Sequence, residues 1–372
     1  LTSSTPIILI LNSIAMGATN GVAILVSQAI GAKDEGAVER VISTSLVVAV
    51  VFSVSVTLLL ELSLPWLLRV LNTPDETWEM AKDYLFIYLL GYVTVYLYCY
   101  FTAVLRSFGN AVFQMAAMLV CTVLNAVLDP IFIKSIGFRG AAIATLLSQS
   151  ICLLFMLVYI ARKKVFRFRA AKFEKRMVGE IIAKAVPSAF QQSIPAVSTG
   201  FLTSLVSWTG ITAIAAYGIT GKLEIILFYP AMALNMVLTN IIGQCAGAKR
   251  SDREKDYLKY SMKIGIVLLT VLSAIVVGFS KPLSGLFLKN GEIAEIVAGY
   301  FMIVSVGYVL NTVTNCFLGT LNGLGKPIKS MLLMVFYYMI VRMPLAWFFN
   351  YLGLGLNGIW GAVLISHIRS EE

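Results

Sequence analysis

Long runs of apolar residues, separated by short polar connections, set the pattern of this chain. Most runs reach the ~20 residues that a helix needs to cross the hydrocarbon core of a bilayer. The pattern therefore predicts an all-α polytopic membrane protein. The predicted spans are 6–31, 41–65, 81–105, 111–134, 140–161, 180–207, 212–246, 258–280, 293–320 and 328–350, with an eleventh starting near Leu356.

Basic residues divide the connections between these spans into two sets. Connections after alternate spans hold most of the Lys and Arg, and the longest of them is the basic stretch 162–176. Lys and Arg are enriched on the cytoplasmic side of membrane proteins, so this set is predicted to be cytoplasmic. The same rule places Leu1 outside, and we expect an odd number of further spans, most simply one, before it if the N-terminus is cytoplasmic.

The two sides of the basic stretch resemble each other in sequence. Three matches occur in the same order at a nearly constant offset: Ser27–Lys33 with Gly243–Lys249, Phe101–Gly109 with Phe317–Gly325, and Gly137–Ser148 with Gly355–Ser366. With one span before Leu1, each half holds six spans, so the two copies run parallel in the membrane. We predict two pseudo-symmetric six-helix lobes, over 1–161 and 180–372, joined by a basic connector over 162–179.

Composition agrees with a membrane protein and argues against other classes. Charged residues make up 13% of the chain, against roughly 25% in soluble domains. The net charge of +10 lies mainly in the connections, so it indicates topology rather than a nucleic-acid partner. The five cysteines lie inside apolar runs and His367 is the only histidine. We therefore expect neither a disulfide framework nor a zinc site, and no enzyme activity.

Asp129 is the least expected residue in the sequence. It lies in the apolar run 111–133, where Asn125 is the only other strongly polar residue after Gln114. The two are four residues apart, so on a helix their side chains share a face. A carboxylate at bilayer depth costs about 2.5–3.5 kcal/mol, and a bound cation or proton would offset that cost. Alternatively, Asp129 lies near the outer end of its helix and reaches the interface or caps a neighbour.

Charged residues also interrupt two later spans. Lys222 and Glu224 are two residues apart in 212–246, so on a helix they point in nearly opposite directions. Each either lines a water-filled cavity or pairs with another helix. Arg342 precedes Pro344 by two residues, and it either binds a ligand or bonds to carbonyl groups at a proline kink.

Uncharged polar and aromatic residues complete the candidates for a substrate cavity. Gln191 and Gln192 lie between two prolines, where their amides contact either substrate or neighbouring helices. Tyrosine recurs every four residues along the span 81–105, including Tyr92 and Tyr96. Such a stripe either packs against other helices or faces a cavity, where it would hold flat cations through cation–π contacts.

Several of these segments resemble the multidrug and toxic compound extrusion (MATE) family. The stretch Asn125–Ile133 followed by Gly137–Thr145 is similar to the family's fifth and sixth helices. Val26–Lys33 is similar to the end of its second helix, with Gly243–Lys249 as the repeat partner. The resemblance runs from the second helix into the twelfth, so it implies a chain without the first helix and with part of the last.

The resemblance implies helices 2–6 in the first lobe, helices 7–12 in the second, and alternation between outward- and inward-facing states. It also implies export of small organic, often cationic or amphipathic, compounds against H⁺ or Na⁺. In one branch the coupling residues are an Asp and an Asn on the fifth helix, which match Asp129 and Asn125, and the sixth-helix Thr matches Thr145. Their first-helix Asp partner is expected before Leu1. Another branch uses acids on the seventh and tenth helices, where this chain has Gln191 and Gln192 and an acid only at Glu295.

These expectations give one account and one alternative. Asp129 takes up the coupling ion, H⁺ or Na⁺, and Asn125 and Thr145 hold its carboxyl group. No other cofactor and no nucleic-acid partner are expected, and the protein is expected to be a monomer in the inner (plasma) membrane. The alternative is a flippase for lipid-linked oligosaccharides in the same superfamily. A flippase is disfavoured because only Lys222 and Arg342 are basic at mid-span.

Overall fold

The computed structural model describes residues 5–70, 75–137, 139–166, 173–288 and 290–369, and every regular element within them is a helix. A bilayer offers no partner for backbone N–H and C=O groups, and a helix satisfies them internally. The helices are α1 Thr5–Gly31, α2 Glu35–Val70, α3 Asp75–Leu90, α4 Tyr92–Ser107, α5 Ala111–Ile136, α6 Arg139–Lys163, α7 Lys175–Ser207, α8 Ile211–Gly247, α9 Ser251–Gly285, α10 Gly291–Gly323, α11 Pro327–Val335, α12 Met343–Tyr351 and α13 Gly355–Arg369. A π-helical segment, Phe336–Arg342, joins α11 to α12. The predicted all-α class is confirmed.

Eight of the described helical segments are long and apolar enough to cross a membrane, with α11, the π segment and α12 counted as one. The bent pair α3 and α4 adds a ninth if it forms a single span. The helix at the predicted span 180–207, α7, is present but falls outside this set. Polar residues such as Lys184, Gln191 and Gln192 reduce its apolarity. The helix at the eleventh predicted span, α13, is described over 15 residues.

The predicted span 81–105 corresponds to two helices rather than to one continuous helix. The helix breaks at Gly91, and the axes of α3 and α4 differ by 46°. A Cβ atom at Gly91 would lie 2.1 Å from Cδ2 of Leu146, so the break lies where α6 packs closely against the backbone. Glycine is the residue that permits this approach.

The internal repeat is visible in the backbone of each half. Lys33 and Lys249 end matching segments with left-handed φ angles of 56° and 55°. Gly109 and Gly325, which also occupy matching positions, have left-handed φ angles of 77° and 74°. Gly31 and Gly247 are helical, and the lysines two residues later adopt the left-handed conformation.

The first compact unit is Leu1–Ala189. In it α1 packs against α2 and α4, and α5 packs against α6. Two glycines of α1 allow close contact with α7, because Cβ atoms at Gly17 and Gly21 would lie 2.4 Å and 2.5 Å from the Cα atoms of Ala189 and Ala185. The core between these helices is apolar and includes the fully buried rings of Tyr92 and Tyr100.

The second compact unit is Phe190–Glu372. Its central helix is α10, which packs against α8, α9 and α13. At Gly319 a Cβ atom would lie 2.5 Å from the carbonyl oxygen of Asn235, so the backbones of α8 and α10 are in close contact. The aromatic rings of Trp360, Tyr300 and Phe301 fill the other side of the core.

The division at Ala189 falls inside the continuous helix α7. The sequence-derived boundaries, 1–161, 162–179 and 180–372, therefore stay a prediction. Residues 167–172 of the predicted connector lie outside the described residues.

Candidate ion-coupling and substrate sites

The predicted coupling residues lie together in the first unit. Nδ2 of Asn125 on α5 is 3.4 Å from Oδ1 of Asp129 and also 3.4 Å from Oγ1 of Thr145 on α6. The Thr145 hydroxyl donates to the carbonyl of Ala141 at 3.0 Å, which leaves its oxygen as the acceptor towards Asn125. All three side chains of this trio are half-buried.

The trio is suited to a carboxylate that changes its charge. The Asn125 amide turns N–H groups towards two oxygens, one on the Asp129 carboxyl group and one on the Thr145 hydroxyl. Tyr84, a buried residue of α3, lies close enough to Asp129 for an electrostatic interaction. A Na⁺ ion needs oxygen ligands, so it would require the Asn125 amide to turn its oxygen towards Asp129.

The second unit holds a separate cavity of about 190 Å³. Its wall combines aromatic rings with charged and amide groups. The lining includes Tyr217, Glu224, Phe228, Tyr300, Tyr308, Asn311, Tyr338, Arg342 and His367. Pockets of this composition hold flat or cationic molecules, because rings supply contact area and cation–π attraction while a few polar groups fix orientation.

Glu224 is the acid of this cavity. The hydroxyl groups of Tyr300 and Tyr308 on α10 both donate to its Oε1 atom, and the two hydroxyl oxygens are 3.4 Å apart. Two donors to one oxygen suit an ionised carboxylate, which only accepts hydrogen bonds. Arg342 is close enough to interact electrostatically with Glu224.

Arg342 is buried at the end of the π segment and held by side chains. Its Nε donates to Oγ of Ser366 at 2.9 Å, and one terminal nitrogen donates to the Tyr337 hydroxyl at 2.6 Å. The guanidinium also lies over the rings of Tyr337 and Tyr338, at 4.8 Å and 4.4 Å from the centroids. We expected carbonyl partners if Arg342 is structural, but these described partners are side chains. The π segment aims the guanidinium inward just before Pro344.

The tautomer of His367 follows from its contact with Arg342. A terminal nitrogen of Arg342 lies 3.2 Å from Nε2 of His367, and a guanidinium has only donors. Nε2 therefore accepts, and Nδ1 carries the hydrogen that faces the Tyr337 hydroxyl. His367 is neutral here, and Arg342 carries the positive charge of the cluster.

The structure does not bring every predicted cavity residue to this cavity. Lys222 is exposed on the far side of α8 from Glu224, and its Nζ lies 5.1 Å above the Phe287 ring. Gln191 is buried and accepts from Nδ2 of Asn322 at 3.2 Å. Gln192, half-buried, lies outside the residues that line the cavity.

The tyrosine stripe in the first unit is mainly a packing feature. Tyr92 is fully buried and donates to the carbonyl of Leu11 at 3.1 Å. Tyr96 lines a smaller cavity of about 110 Å³, where its ring lies 5.5 Å from that of Phe52. That cavity is almost wholly apolar, so of the two predicted residues only Tyr96 faces an open space.

Comparison with known proteins agrees with this architecture. The family profile described as MatE matches residues 1–131 and 187–348. This chain belongs to the MatE family. Members of the family are transporters rather than enzymes, which confirms both the resemblance stated above and the expectation about enzyme activity.

Curated relatives cover nearly the whole chain. The probable multidrug resistance protein YoeA of Bacillus subtilis is 25% identical over 97% of this chain and 81% of its own length. The FAD transporter of Shewanella oneidensis is 26% identical over 98% of this chain and 82% of its own length. The multidrug export protein MepA of Staphylococcus aureus is 26% identical over 95% of this chain and 80% of its own length.

Solved MATE structures show the same fold. An outward-facing multidrug resistance MATE transporter superposes with a TM-score of 0.95 at 23% identity, covering 99% of this chain and 84% of its own. A MATE transporter in complex with MaL6 gives a TM-score of 0.94 at 23% identity with the same coverage. This MatE chain therefore has the MATE transporter fold.

Sequence reasoning missed most residues of the cavity in this MatE protein, among them Tyr300, Tyr308, Tyr338 and His367. Tyr300 and Tyr308 are eight residues apart, so they share one face of α10 with Asn311 and Asn315. That periodic polar stripe in the predicted span 293–320 was the available signal. His367, the only histidine in the sequence, belongs to no such periodic pattern.

Proposed function

We propose that this protein exports small organic compounds, cationic or amphipathic, in exchange for an inward-moving cation. Family membership supports transport, and the names of the Bacillus and Staphylococcus relatives support multidrug export. The cavity supports cationic substrates, because Glu224 lies among aromatic rings that attract positive charge. The Shewanella relative, named an FAD transporter, puts FAD among the compounds to be tested.

Coupling runs through Asp129, and the Asn125–Asp129–Thr145 trio is the observation that carries this proposal. In the ionised form, Asp129 accepts from Asn125, which in turn bonds Thr145 on the next helix. Taking up a proton removes the charge that Asn125 stabilises, so the preferred packing of α5 and α6 changes. Ion and substrate then favour different conformations of the transporter, and alternating between these conformations produces antiport.

Between H⁺ and Na⁺, the orientation of Asn125 favours the proton. The amide presents N–H groups to the oxygens of Asp129 and Thr145, whereas Na⁺ would need oxygens from all three residues. We propose a multi-pass monomer in the plasma membrane with its basic connectors on the cytoplasmic side. The distribution of Lys and Arg supports that orientation.

Efflux from cells tests the proposal. Cells expressing the full-length transporter are loaded with an ethidium-type dye, or separately with FAD, and efflux is recorded under imposed pH or Na⁺ gradients. We expect gradient-driven dye efflux that Asp129→Asn abolishes at unchanged expression. Glu295→Gln is the matched control, since this exposed carboxylate contacts only Lys281 among its described charged neighbours, at 4.0 Å.

The outcomes separate the proposals. Dye efflux that survives Asp129→Asn would remove Asp129 from the coupling mechanism. Export of FAD but not of dye would replace the multidrug assignment with a narrower substrate. Failure to export either compound under any gradient would contradict the export proposal and favour the flippase alternative.

A further inference from the structure

A stripe of buried amides runs through the second unit. We call it the amide stripe, and it consists of the amides of Asn311, Asn315 and Asn322 on α10, Asn235 on α8 and Gln191 on α7, together with the hydroxyl of Thr239 on α8. Each of these side chains is buried. Amides in a bundle commonly serve as interhelical hydrogen bonds, so packing alone is the first explanation to consider.

Part of the stripe fits that explanation. Nδ2 of Asn235 donates to Oδ1 of Asn315 at 3.3 Å, and Nδ2 of Asn315 donates to the carbonyl of Asn311 at 2.9 Å. Thr239 donates to the carbonyl of Asn235 at 2.8 Å. The Asn235–Asn315 bond links α8 to α10 near Gly319, where their backbones come together, and the other two bonds lie within one helix each.

Packing through hydrogen bonds between helices does not explain two amide atoms of the stripe. Nδ2 of Asn311 and Oδ1 of Asn322 are buried, and neither has a hydrogen-bond partner among the described residues. A buried polar atom without a protein partner is costly, and ordered water is its usual partner. The hydroxyl of Ser198 on α7 is a third such atom in this unit.

The two amide atoms lie at opposite ends of the stripe. Asn311 lines the cavity that holds Glu224, one turn from Tyr308. Asn322 is next to Gly323, the last residue of α10. With a rise of ~1.5 Å per residue, the path along α10 from Tyr308 to Asn322 is about 21 Å. The stripe thus connects the cavity to the end of the helix.

We propose that the amide stripe holds a file of ordered water that lets Glu224 exchange protons with solvent at the Gly323 end of α10. The amides position the water, and the water carries the proton. Both tyrosine hydroxyls bond Oε1 of Glu224, so an arriving proton is taken by Oε2. This route is separate from the coupling at Asp129.

The groups facing Glu224 make it the proton acceptor of the cavity. Tyr300 and Tyr308 face it from α10, Tyr217 lies on its own helix, and Arg342 and Tyr338 face the cavity from the π segment. His367 on α13 also lines the cavity, and its Nε2 is occupied by the Arg342 contact. Protonation of Glu224 would leave Arg342 as the net charge, so the cavity would change from neutral to positive.

Infrared spectroscopy of the purified transporter tests the proposal without requiring transport. The C=O band of protonated Glu224 is identified by its loss in Glu224→Gln, and its conversion to the deuterated form is followed after transfer to D₂O. We expect Asn315→Leu to slow this conversion about tenfold, the factor that corresponds to ~1.4 kcal/mol in an activation barrier. The matched control is Asn350→Leu on α12, outside the stripe, which should leave the rate unchanged.

Each result decides the question. An unchanged rate in folded Asn315→Leu, or the absence of a Glu224-dependent carboxylic acid band at any pH at which the protein is folded, would overturn the proposal. If Asn315→Leu does not fold, Asn315→Cys without the five native cysteines is treated with a charged thiol reagent. Modification at the rate of a water-exposed thiol is expected, and complete protection would overturn the water file.

Discussion

Nδ2 of Asn125 lies 3.4 Å from Oδ1 of Asp129, one helical turn away on α5. The same nitrogen is 3.4 Å from Oγ1 of Thr145, so one amide connects the half-buried acid to the neighbouring helix α6. We propose that a change in the charge of Asp129 alters the contact between these two helices. This arrangement is the basis of the coupling that we propose.

Removing the amide of Asn125 should shift the pH dependence of efflux. Asn125→Leu deletes the amide that contacts both the Asp129 carboxyl group and the Thr145 hydroxyl, so the carboxyl group loses its link to α6. We expect the midpoint of the pH profile of dye efflux to differ from that of the wild type. Dye efflux measured across a pH series checks this.

Thr122→Val is the control for that series. Thr122 lies on α5, is exposed, and donates to the carbonyl of Met118 at 2.9 Å. Loss of the Thr122 hydroxyl should leave the midpoint of the pH profile of efflux unchanged. An Asn125→Leu profile that superposes on the wild type would argue against a role for the amide.

Glu224 and Lys222 should differ in their effect on substrate affinity. Glu224 faces the cavity, whereas Lys222 is exposed on the other side of α8. Glu224→Gln should raise the half-saturating concentration of a monovalent organic cation about tenfold, because the substrate loses its opposite charge. Lys222→Gln should leave it unchanged. Equal effects of the two substitutions would contradict the placement of the substrate in this cavity.

Arg342 should be essential for the stability of the second unit. Arg342→Met leaves Ser366, Tyr337 and His367 without their shared donor, and we expect a loss of about 2–4 kcal/mol in the free energy of unfolding. Arg342→Lys should recover little of it, because an ammonium group cannot reproduce the planar set of donors. Thermal unfolding in detergent, followed by size-exclusion chromatography, measures this.

The exposed residue Arg253 is the control for charge and size. Arg253→Lys should have the same melting temperature as the wild type, because Arg253 is exposed. An unchanged melting temperature for Arg342→Lys would show that the hydrogen bonds of the Arg342 guanidinium do not stabilise the second unit.

Gly319 and Gly278 form a matched pair of helical glycines. A Cβ at Gly319 would lie 2.5 Å from the Asn235 carbonyl oxygen, whereas nothing lies within 4 Å of one at Gly278. Gly319→Ala should lower the free energy of unfolding by about 1–3 kcal/mol, since α8 and α10 must separate. Gly278→Ala should be neutral or stabilising by up to ~1 kcal/mol. Comparing the two melting temperatures checks this, and similar values would contradict the close helix contact.

Much of this architecture could be predicted from the sequence, because an apolar run in a bilayer has few alternatives to a helix. The contact between Asn125 and Asp129 could also be predicted, since residues four apart share a helix face. Thr145 lies on another helix, and only the family resemblance connected it to them.

Features that depend on distant residues could not be predicted. The break at Gly91 depends on the position of Leu146, and the burial of Arg342 depends on Ser366 and His367 from α13. The bonds from Tyr300 and Tyr308 to Glu224 join α10 to α8. Helix periodicity gives the faces of each helix but not which faces meet, so the cavity of the second unit becomes visible only in three dimensions.

Proton release on substrate binding tests the role of Asp129 most directly. Purified transporter in weakly buffered detergent solution is mixed with a saturating organic cation, and the pH change is recorded for the wild type, Asp129→Asn and Glu295→Gln. Antiport through Asp129 predicts proton release from the wild type and from Glu295→Gln, and its loss in Asp129→Asn with substrate binding retained. Equal proton release from Asp129→Asn and the wild type would contradict coupling at this residue.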